Sequence, residues 1–579
     1  MALKIVIYQL LVRLFGNKNT NNIFYGSIRE NGCGKFNDIN NAALCELKRM
    51  GITHIWYTGI IEHATTTNYS AFGISADNPY VVKGKAGSPY AIKDYYDTDP
   101  DLASQPNSRM SEFEALIERT HKSGLKAIID FVPNHVARTY KSDVKPNGTE
   151  DLGESDNTNV FFHKDNNFYY IPGESFKVPE NYNPCGDNYL HPPKNNKFDE
   201  YPAKASGNNV FTASPKIDDW FETVKLNYGI DYSTGTTHYQ PIPDTWHKML
   251  DILLFWANKG IDGLRCDMCE MVPAEFWRYA ITEVKKQYRN IIFIGEAYSP
   301  ENYRKYILSG FDYLYDKSGL YDLLRAAITG YSGLDKLQDY FNSAIKGIEQ
   351  HMLTFLENHD EQRFASPQFA GSPEKAIPLM TLVATLHPAP VMIYFGQEIG
   401  VTAAGATGFS GDDGRTSIFD YTSIPEIQQW ANNGKFDGAL LSPKQIELRN
   451  FYVKLLNLCN SEEAIKNGKF GNLFNSNANG QSQGFNQYMN YAFTRYTPTD
   501  KLIIFITIDA DNSPNLYLKI PEELFTDMGL YKNLHYVAKD ILYSNYKTVI
   551  QGEDLIANGL HIVADKMSAL ILKLEISNI

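Results

Sequence analysis

The chain has 579 residues, of which 43% are hydrophobic and 21% are charged, and its formal net charge is -13. This length and balance predict a soluble globular protein of two or three domains. The negative charge argues against binding to nucleic acid or to an anionic membrane surface, and the sequence contains no run of about 20 apolar residues that would span a membrane.

The cysteines and the N-terminus exclude two further classes. Six cysteines are too few for a disulfide framework in a chain this long, and no second Cys/His pair has zinc-ligand spacing: they are Cys33, Cys45, Cys185, Cys266, Cys269 and Cys459. Gln9 and Arg13 interrupt the opening "MALKIVIYQLLVRLFG", which predicts a first strand rather than a signal peptide. We therefore expect a cytoplasmic protein from the sequence as it stands, and a periplasmic or secreted one if a leader has been removed.

Apolar runs typical of buried strands alternate with amphipathic helical patterns along most of the chain. In order, the runs are "KIVIYQLLV", "THIWYTGI", "KAIIDFVPNH", "GLRCDMC", "IIFIGEAY", "FDYLYDK", "MLTFLENHD" and "PVMIYFGQE". Helical spacing is clear between them, for example at Trp246, Met249, Leu250, Leu253 and Ala257. Eight strand and helix units predict a (β/α)8 TIM barrel rather than a doubly wound sheet.

Two segments depart from this alternation and predict further domains. Residues 136–236 are rich in Asn, Asp, Gly and Pro and far longer than an ordinary loop, which predicts a small domain inserted after the third strand. Residues 465–579 contain strand-like runs such as "KLIIFITID" and "ALILKL" without a long helix, which predicts a C-terminal all-β sandwich. The barrel then comprises residues 1–135 and 237–464.

Polar residues end four of the apolar strands, and this feature points to function. They are Asp130 to His135, Arg265 with Asp267, Glu296, and His359 with Asp360. In a (β/α)8 barrel the C-terminal ends of all strands meet at one face, where active sites lie. A satisfied ion-pair network explains any one of these strand ends, but several carboxylates in one pocket repel each other, which favours a catalytic site.

Paired carboxylates at a barrel mouth are typical of glycoside chemistry, in which one is the nucleophile and the other the general acid. Arg265 and Asp267 share one face of a strand, where the arginine would keep the aspartate ionised. Glu296 lies in the apolar setting of "FIGEAY", which favours a raised pKa and a role as proton donor. Cys266 points to the opposite face, so the Cys-x-x-Cys formed with Cys269 is expected to be incidental.

Four motifs in order make the chain resemble the α-amylase superfamily of retaining enzymes that act on α-glucans. "DFVPNH", "GLRCD", "GEA" and "ENHD" are similar to the family's first four conserved regions, and residues 136–236 and 465–579 to its domains B and C. The resemblance implies that Asp267 is the nucleophile, Glu296 the acid/base and Asp360 the carboxylate that orients the sugar at subsite −1. We expect the residues that bind this sugar to include Tyr90, His135, Arg265 and His359.

The stretch after the implied nucleophile departs from the common pattern. Many α-amylases have an Ala-x-Lys-His run there, whereas this chain has "MCEM", so we expect Glu270 and Met271 to shape the acceptor side. Phe276-Trp277 and Lys225-Leu226-Asn227 are similar to the neopullulanase and cyclomaltodextrinase branch, but the Asn-Glu pair of that branch is absent. The motifs leave the subfamily open.

Calcium is the metal that the resemblance suggests. Asn134 matches a residue that binds calcium in many members, but the partner ligands have no counterpart in this sequence. Asn134 is therefore a candidate calcium ligand or a structural hydrogen-bonding residue. No cofactor is expected for the chemistry itself.

The leading functional prediction is a retaining hydrolase of α-1,4-glucosidic bonds in starch-like glucans or maltooligosaccharides. The alternative is a transglycosylase with the same three carboxylates, in which a sugar replaces water as the acceptor. A non-catalytic glycan-binding relative is disfavoured because the three carboxylates are complete. The expected partner is an α-glucan or oligosaccharide, and the sequence does not determine the oligomeric state.

Overall fold

The computed structural model describes residues 4–184 and 198–577, and its largest unit is a closed barrel of eight parallel strands. The strands are β1 (Val6–Leu11), β2 (His54–Thr58), β3 (Lys126–Phe131), β4 (Gly263–Cys266), β5 (Ile292–Gly295), β6 (Tyr313–Tyr315), β7 (Met352–Phe355) and β8 (Val391–Tyr394). Each strand pairs with the next, and β8 closes the barrel on β1. The predicted (β/α)8 barrel is confirmed.

The barrel strands carry a packed apolar cluster of their own, separate from the main core. Its buried members are Ile7, Trp56, Ile128, Ile294, Tyr315, Tyr321, Leu353, Phe355 and Met392. Such a filled interior is the normal state of a (β/α)8 barrel and leaves only the mouth for polar groups. The strand register sets Arg265 of β4 beside Asp130 of β3, which brings a cation and a carboxylate to the same level of the barrel.

Most of the longer helices bury one face, whereas Ala376–Thr385 is buried almost completely. In Asp244–Asn258, for example, Trp246, Met249, Leu253 and Trp256 recur at three- and four-residue spacing and are all buried. The other long helices are Asn41–Arg49, Arg109–Lys122, Ala274–Gln287, Ala376–Thr385 and Pro443–Ser461. The shorter ones are Val12–Phe15, Ile28–Asn31, Tyr303–Leu308, Asp322–Ile328, Leu337–Phe341, Pro425–Ala431, Glu463–Asn467, Glu522–Asp527 and Gly552–Ala557.

The segment between β3 and β4 contains three two-stranded antiparallel pairs. They are His135–Ala137 with Thr223–Lys225, Tyr170–Ile171 with Ala203–Lys204, and Ile230–Asp231 with Thr236–Thr237. A fourth pair, Ile61–His63 with Ile92–Thr98, lies on the loop after β2. A separate apolar cluster that includes Phe176 and Phe221 gives the segment packing of its own, as expected for an inserted domain. Its boundaries at 136–236 stay a prediction, and Cys185 lies outside the described residues.

The C-terminal part is built on β-structure, as predicted. A six-stranded antiparallel sheet has the order Lys469–Asn472, Asn490–Tyr496, Lys501–Thr507, Ser568–Ile576, His535–Asp540 and Lys547–Gln551. Asn515–Leu518 and Leu560–Val563 form a second, two-stranded sheet. In the part of the chain that the structure describes, no helix is long and apolar enough to cross a membrane.

Candidate active site

A single buried guanidinium, that of Arg265, organises the barrel mouth. Its Nη1 lies 2.7 Å from Oδ1 of Asp267 and 3.5 Å from Oδ1 of Asp130, and its Nη2 lies 2.8 Å from Oε1 of Glu296. The contact with Asp267 has good hydrogen-bond geometry, whereas the contact with Glu296 is an ion pair without it. Arg265 is completely buried, so its charge is compensated by these carboxylates rather than by water.

Aromatic rings surround the same guanidinium. The centroids of Trp56, Tyr90 and Tyr315 lie 5.3 to 5.5 Å from its central carbon, a distance at which a ring face attracts a cation. Asp130 ties two of these rings to the site, because Trp56 Nε1 donates to it at 3.0 Å and the hydroxyl of Tyr90 at 3.4 Å. Asp130 is thus a fixed counterion below the pocket.

Glu296 is held through its main chain and both carboxylate oxygens. The backbone N–H of Met268 donates to Oε2 at 2.8 Å, and the hydroxyl of Tyr298 donates to Oε1 at 2.7 Å. Met268 has a φ of 42°, a left-handed conformation that a residue with a side chain rarely adopts. This strain turns the N–H toward Glu296, and strain of this kind concentrates at functional sites.

The strand end after β7 brings His359 and Asp360 into the same pocket. Gln9 Nε2 lies 2.8 Å from Nδ1 of His359, and Nε2 of the same ring lies 3.0 Å from Oδ2 of Asp360. The ring also stacks on Tyr90, with centroids 5.0 Å apart. Burial opposes the charge of Asp360, but His359 and Arg265 outweigh it and lower the pKa of this carboxyl.

His135, at the start of the short strand His135–Ala137, is a further histidine of the barrel mouth. It is buried beside Trp220, with ring centroids 5.0 Å apart, and burial lowers its pKa to about 3. The ring is therefore neutral at physiological pH and offers hydrogen bonds rather than charge.

A cavity of about 290 Å³ joins these groups. The predicted residues that line it are Tyr90, His135, Asp267, Glu296, His359 and Asp360, whereas Arg265 lies beneath them. The cavity is also lined by residues that the sequence patterns do not mark, among them Lys83, Trp220, Glu222, Tyr298 and Phe419. They come from loops, where no strand-end position or charge pattern marks them.

The groups around Asp267 act on its acidity in opposite directions. Burial, followed by the charge of Glu296, raises the pKa of Asp267 well above its ordinary value, although Arg265 works in the opposite direction. The expectation that Arg265 keeps Asp267 ionised therefore meets an opposing effect of burial and stays a prediction, as does the role of Glu296 as proton donor.

The surroundings of Asn134 do not fit a calcium ion. The ammonium of Lys225 donates to the side-chain oxygen of Asn134 and, at 3.1 Å, to the carbonyl of Met271. Asn134 Nδ2 donates to the carbonyl of Gly207 at 2.9 Å. An N–H donor thus occupies the oxygen that a metal would need, and calcium requires several oxygen ligands. These contacts fit the second of the two roles that the sequence leaves open for Asn134, that of a structural hydrogen-bonding residue.

The expected acceptor-side position of Glu270 and Met271 stays a prediction: neither side chain lines the cavity, whereas Met268 does. The carboxylate of Glu270 instead accepts from the backbone N–H groups of Tyr298 at 2.6 Å and Ser299 at 3.0 Å. Glu270 therefore holds the loop that follows β5.

The five described cysteines are free thiols. Cys266 is fully buried in the core, as expected for the outer face of β4. Cys269 is also buried and donates to the backbone carbonyl of Glu296 at 3.1 Å. Burial raises the pKa of both thiols well above the ordinary value, so neither is a reactive thiolate.

The chain belongs to the alpha-amylase family, because the family model described as "Alpha amylase, catalytic domain" matches residues 9–418. Among curated proteins, a cyclomaltodextrin glucanotransferase of Geobacillus stearothermophilus is 24% identical over 432 residues, which are 69% of this chain and 50% of the relative. Alpha-amylase 3 of Dictyoglomus thermophilum is 22% identical, over 66% of this chain and 68% of the relative. The chain thus spans about half the length of the glucanotransferase.

Two solved structures share the whole fold. A noncanonic maltogenic alpha-amylase from Thermotoga neapolitana has a TM-score of 0.61 and 18% identity, covering 98% of both chains. An alpha-amylase from Geobacillus thermoleovorans, solved with acarbose, has a TM-score of 0.61 and 20% identity, covering 99% of this chain and 98% of the other.

The ammonium of Lys225 should make the site around Asn134 independent of calcium. We expect Lys225→Met to lower the thermal midpoint with no rescue by added calcium, and a chelator to change the midpoints of the wild type and of the variant by the same amount. The variant leaves buried acceptors without a donor, at a cost of about 1–3 kcal/mol for each. Thermal unfolding with calcium and with chelator measures both effects. Lys286→Met, which removes only an exposed ion pair, is the control. A loss in Lys225→Met that added calcium restores would contradict the account.

Proposed function

We propose that the chain is a retaining α-glucan hydrolase that cleaves α-1,4-glucosidic bonds in starch-like glucans or maltooligosaccharides. The observation that carries the proposal is the pair of carboxylates, Asp267 and Glu296, on the two nitrogens of one buried guanidinium in the cavity at the barrel mouth. Membership of the alpha-amylase family supports it. Two close carboxylates, one as nucleophile and one as general acid, are what a double displacement requires.

In the first step, Glu296 gives its proton to the glycosidic oxygen while a carboxylate oxygen of Asp267 bonds to the anomeric carbon. The bond to the leaving sugar breaks and a covalent glycosyl-enzyme forms. Asp267 must be ionised for this attack. Its 2.7 Å contact with Arg265 favours that state, as does the positive charge that develops on the sugar ring.

In the second step, Glu296 takes a proton from water and the resulting oxygen attacks the same carbon. The ester bond to Asp267 breaks, and Glu296 ends protonated as it began. Asp360 and His359 bind hydroxyls of the reacting sugar, and the ring of Tyr90 covers its apolar face. His135, held neutral by burial, adds a further hydrogen bond from the opposite side.

A second candidate is transfer to a sugar acceptor. It is favoured by the cyclomaltodextrin glucanotransferase relatives, although at 24% identity and over half of their length. The first step is the same in both reactions. They differ only in the second step, in which a sugar hydroxyl rather than water attacks the glycosyl-enzyme.

Incubation with maltoheptaose tests the proposal. We expect shorter maltooligosaccharides, whose first-formed reducing ends are α-anomers by proton NMR, because two displacements restore the configuration. Products longer than the substrate would show that transfer dominates. An initial β-anomer would contradict the covalent mechanism, and a lack of any product from this or other α-glucans would contradict the function.

Asp267→Asn and Glu296→Gln should each lower turnover strongly while leaving the fold intact, since each removes one member of the pair. Loss of general acid catalysis alone should lower turnover by about 10²- to 10⁴-fold. Glu283→Gln, which changes an exposed glutamate of the helix Ala274–Gln287, is the matched control and should retain wild-type turnover. Circular dichroism checks the fold of all three. Near-normal turnover of either site variant would show that the role assigned to it is wrong.

The pH profile of kcat/KM should be bell-shaped, because only the form with one proton on the pair is active. As the pH falls, both carboxyls become protonated and no nucleophile remains; as it rises, both ionise and no acid remains. Burial raises the pKa of Asp267, so the acidic limb should lie above the ordinary aspartate value of about 3.9. A profile that stays flat below that value would contradict a shared proton.

A further inference from the structure

The loop that leaves β5 is clamped by Glu270. One carboxylate oxygen of Glu270 accepts from the backbone N–H groups of Tyr298 at 2.6 Å and Ser299 at 3.0 Å. The other accepts from the side-chain amide of Asn302 at 3.0 Å. Three donors on one short segment thus converge on one side chain from the loop after β4, and the position of Tyr298 depends on them.

Tyr298 in turn contacts Glu296 directly. Its hydroxyl donates to Oε1 at 2.7 Å, and the residue lines the cavity on the side of the acid. Burial and the nearby charge of Glu296 raise the pKa of Tyr298 far above the ordinary tyrosine value, so the hydroxyl keeps its proton at every working pH. With the N–H of Met268 on Oε2, both carboxylate oxygens of Glu296 are oriented by donors.

We infer that Tyr298 is a positioning residue for Glu296, and that Glu270 acts on the acid through Tyr298. This rests on the proposed function, in which Glu296 is the acid/base. The hydroxyl favours the ionised carboxylate and, with the N–H of Met268, fixes the orientation of the carboxyl group that gives its proton to the leaving oxygen. Glu270, three residues after the proposed nucleophile, therefore supports the acid rather than the acceptor sugar.

The decisive variant is Tyr298→Phe, compared on two substrates. On maltotriose, whose leaving group needs a proton, kcat/KM should fall about tenfold or more. On α-maltosyl fluoride, whose fluoride leaves without protonation, it should change by less than about twofold. Because the lost donor favoured the ionised acid, the basic limb of the pH profile on maltotriose should move up by about one pH unit.

Tyr306→Phe is the matched control. The hydroxyl of Tyr306 donates to the carbonyls of Glu270 and Val272 at 3.1 Å, so this variant loses a tyrosine hydroxyl in the same region without touching Glu296. Tyr306→Phe should leave unchanged the basic limb of the pH profile and the ratio of kcat/KM on the two substrates. If Tyr306→Phe moved the basic limb of the pH profile as far as Tyr298→Phe does, loss of any nearby hydroxyl would be enough to move it, and the inference would be overturned.

Glu270 is tested by rescue and by a double variant. Glu270→Ala should reproduce the pattern of Tyr298→Phe, whereas Glu270→Gln, which keeps an acceptor oxygen for the loop, should recover most of the activity on maltotriose. In Glu270→Ala with Tyr298→Phe, the loss should be much smaller than the product of the single losses, because both act through one hydroxyl. The proposed link from Glu270 through Tyr298 to Glu296 would be contradicted if the losses of kcat/KM multiplied in the double variant. It would also be contradicted if kcat/KM fell as much on α-maltosyl fluoride as on maltotriose.

The possible outcomes distinguish a failure of this inference from a failure of the proposed α-glucan hydrolase function. A wild-type protein inactive on both substrates would overturn the proposed function, and the inference with it. If the wild-type protein is active but Tyr298→Phe leaves unchanged both the basic limb of the pH profile and the ratio of kcat/KM on the two substrates, only the positioning role is overturned.

Discussion

The site depends on the burial of one positive charge, that of Arg265. A lone guanidinium out of water is strongly unfavourable, and removing one partner of a buried pair typically costs about 3–5 kcal/mol. Asp267 and Glu296 compensate the charge, and the rings of Trp56 and Tyr90 add attraction from their faces. The dependence is mutual, because two carboxylates this close would not both stay buried without a cation between them.

The barrel supplies the geometry for this arrangement. Parallel strands in fixed register place Asp130 and Arg265 at one level, and Glu296 follows the end of the next strand. The apolar cluster packed inside the barrel leaves only the mouth for these polar groups. The loops then set the chemistry. Met268 in its left-handed conformation and the hydroxyl of Tyr298 hold Glu296, while Lys225 links the inserted segment to the loop after β4.

The sequence predicted the eight strands and the residues that end them, because strand positions alternate between two faces and thereby fix the direction of Arg265 and Asp267. Loop residues have no such period. Glu270 was expected on the acceptor side because it follows Asp267 by three residues, yet its carboxylate turns to the loop after β5. Tyr298 and Trp220 carried no signal beyond being aromatic, and the contact of Lys225 with Asn134 joins residues 91 positions apart. The subfamily and the preferred acceptor depend on such loops.

The central claim is that Asp267 forms a covalent bond to the sugar while Glu296 handles protons. Glu296→Gln incubated with α-maltosyl fluoride tests it most directly, because fluoride leaves without an acid and the variant lacks the base that activates water. We predict that the intact mass rises by one maltosyl unit and that peptide mapping places it on Asp267. A label on another residue, or α-maltose released at the wild-type rate with no trapped species, would contradict the account.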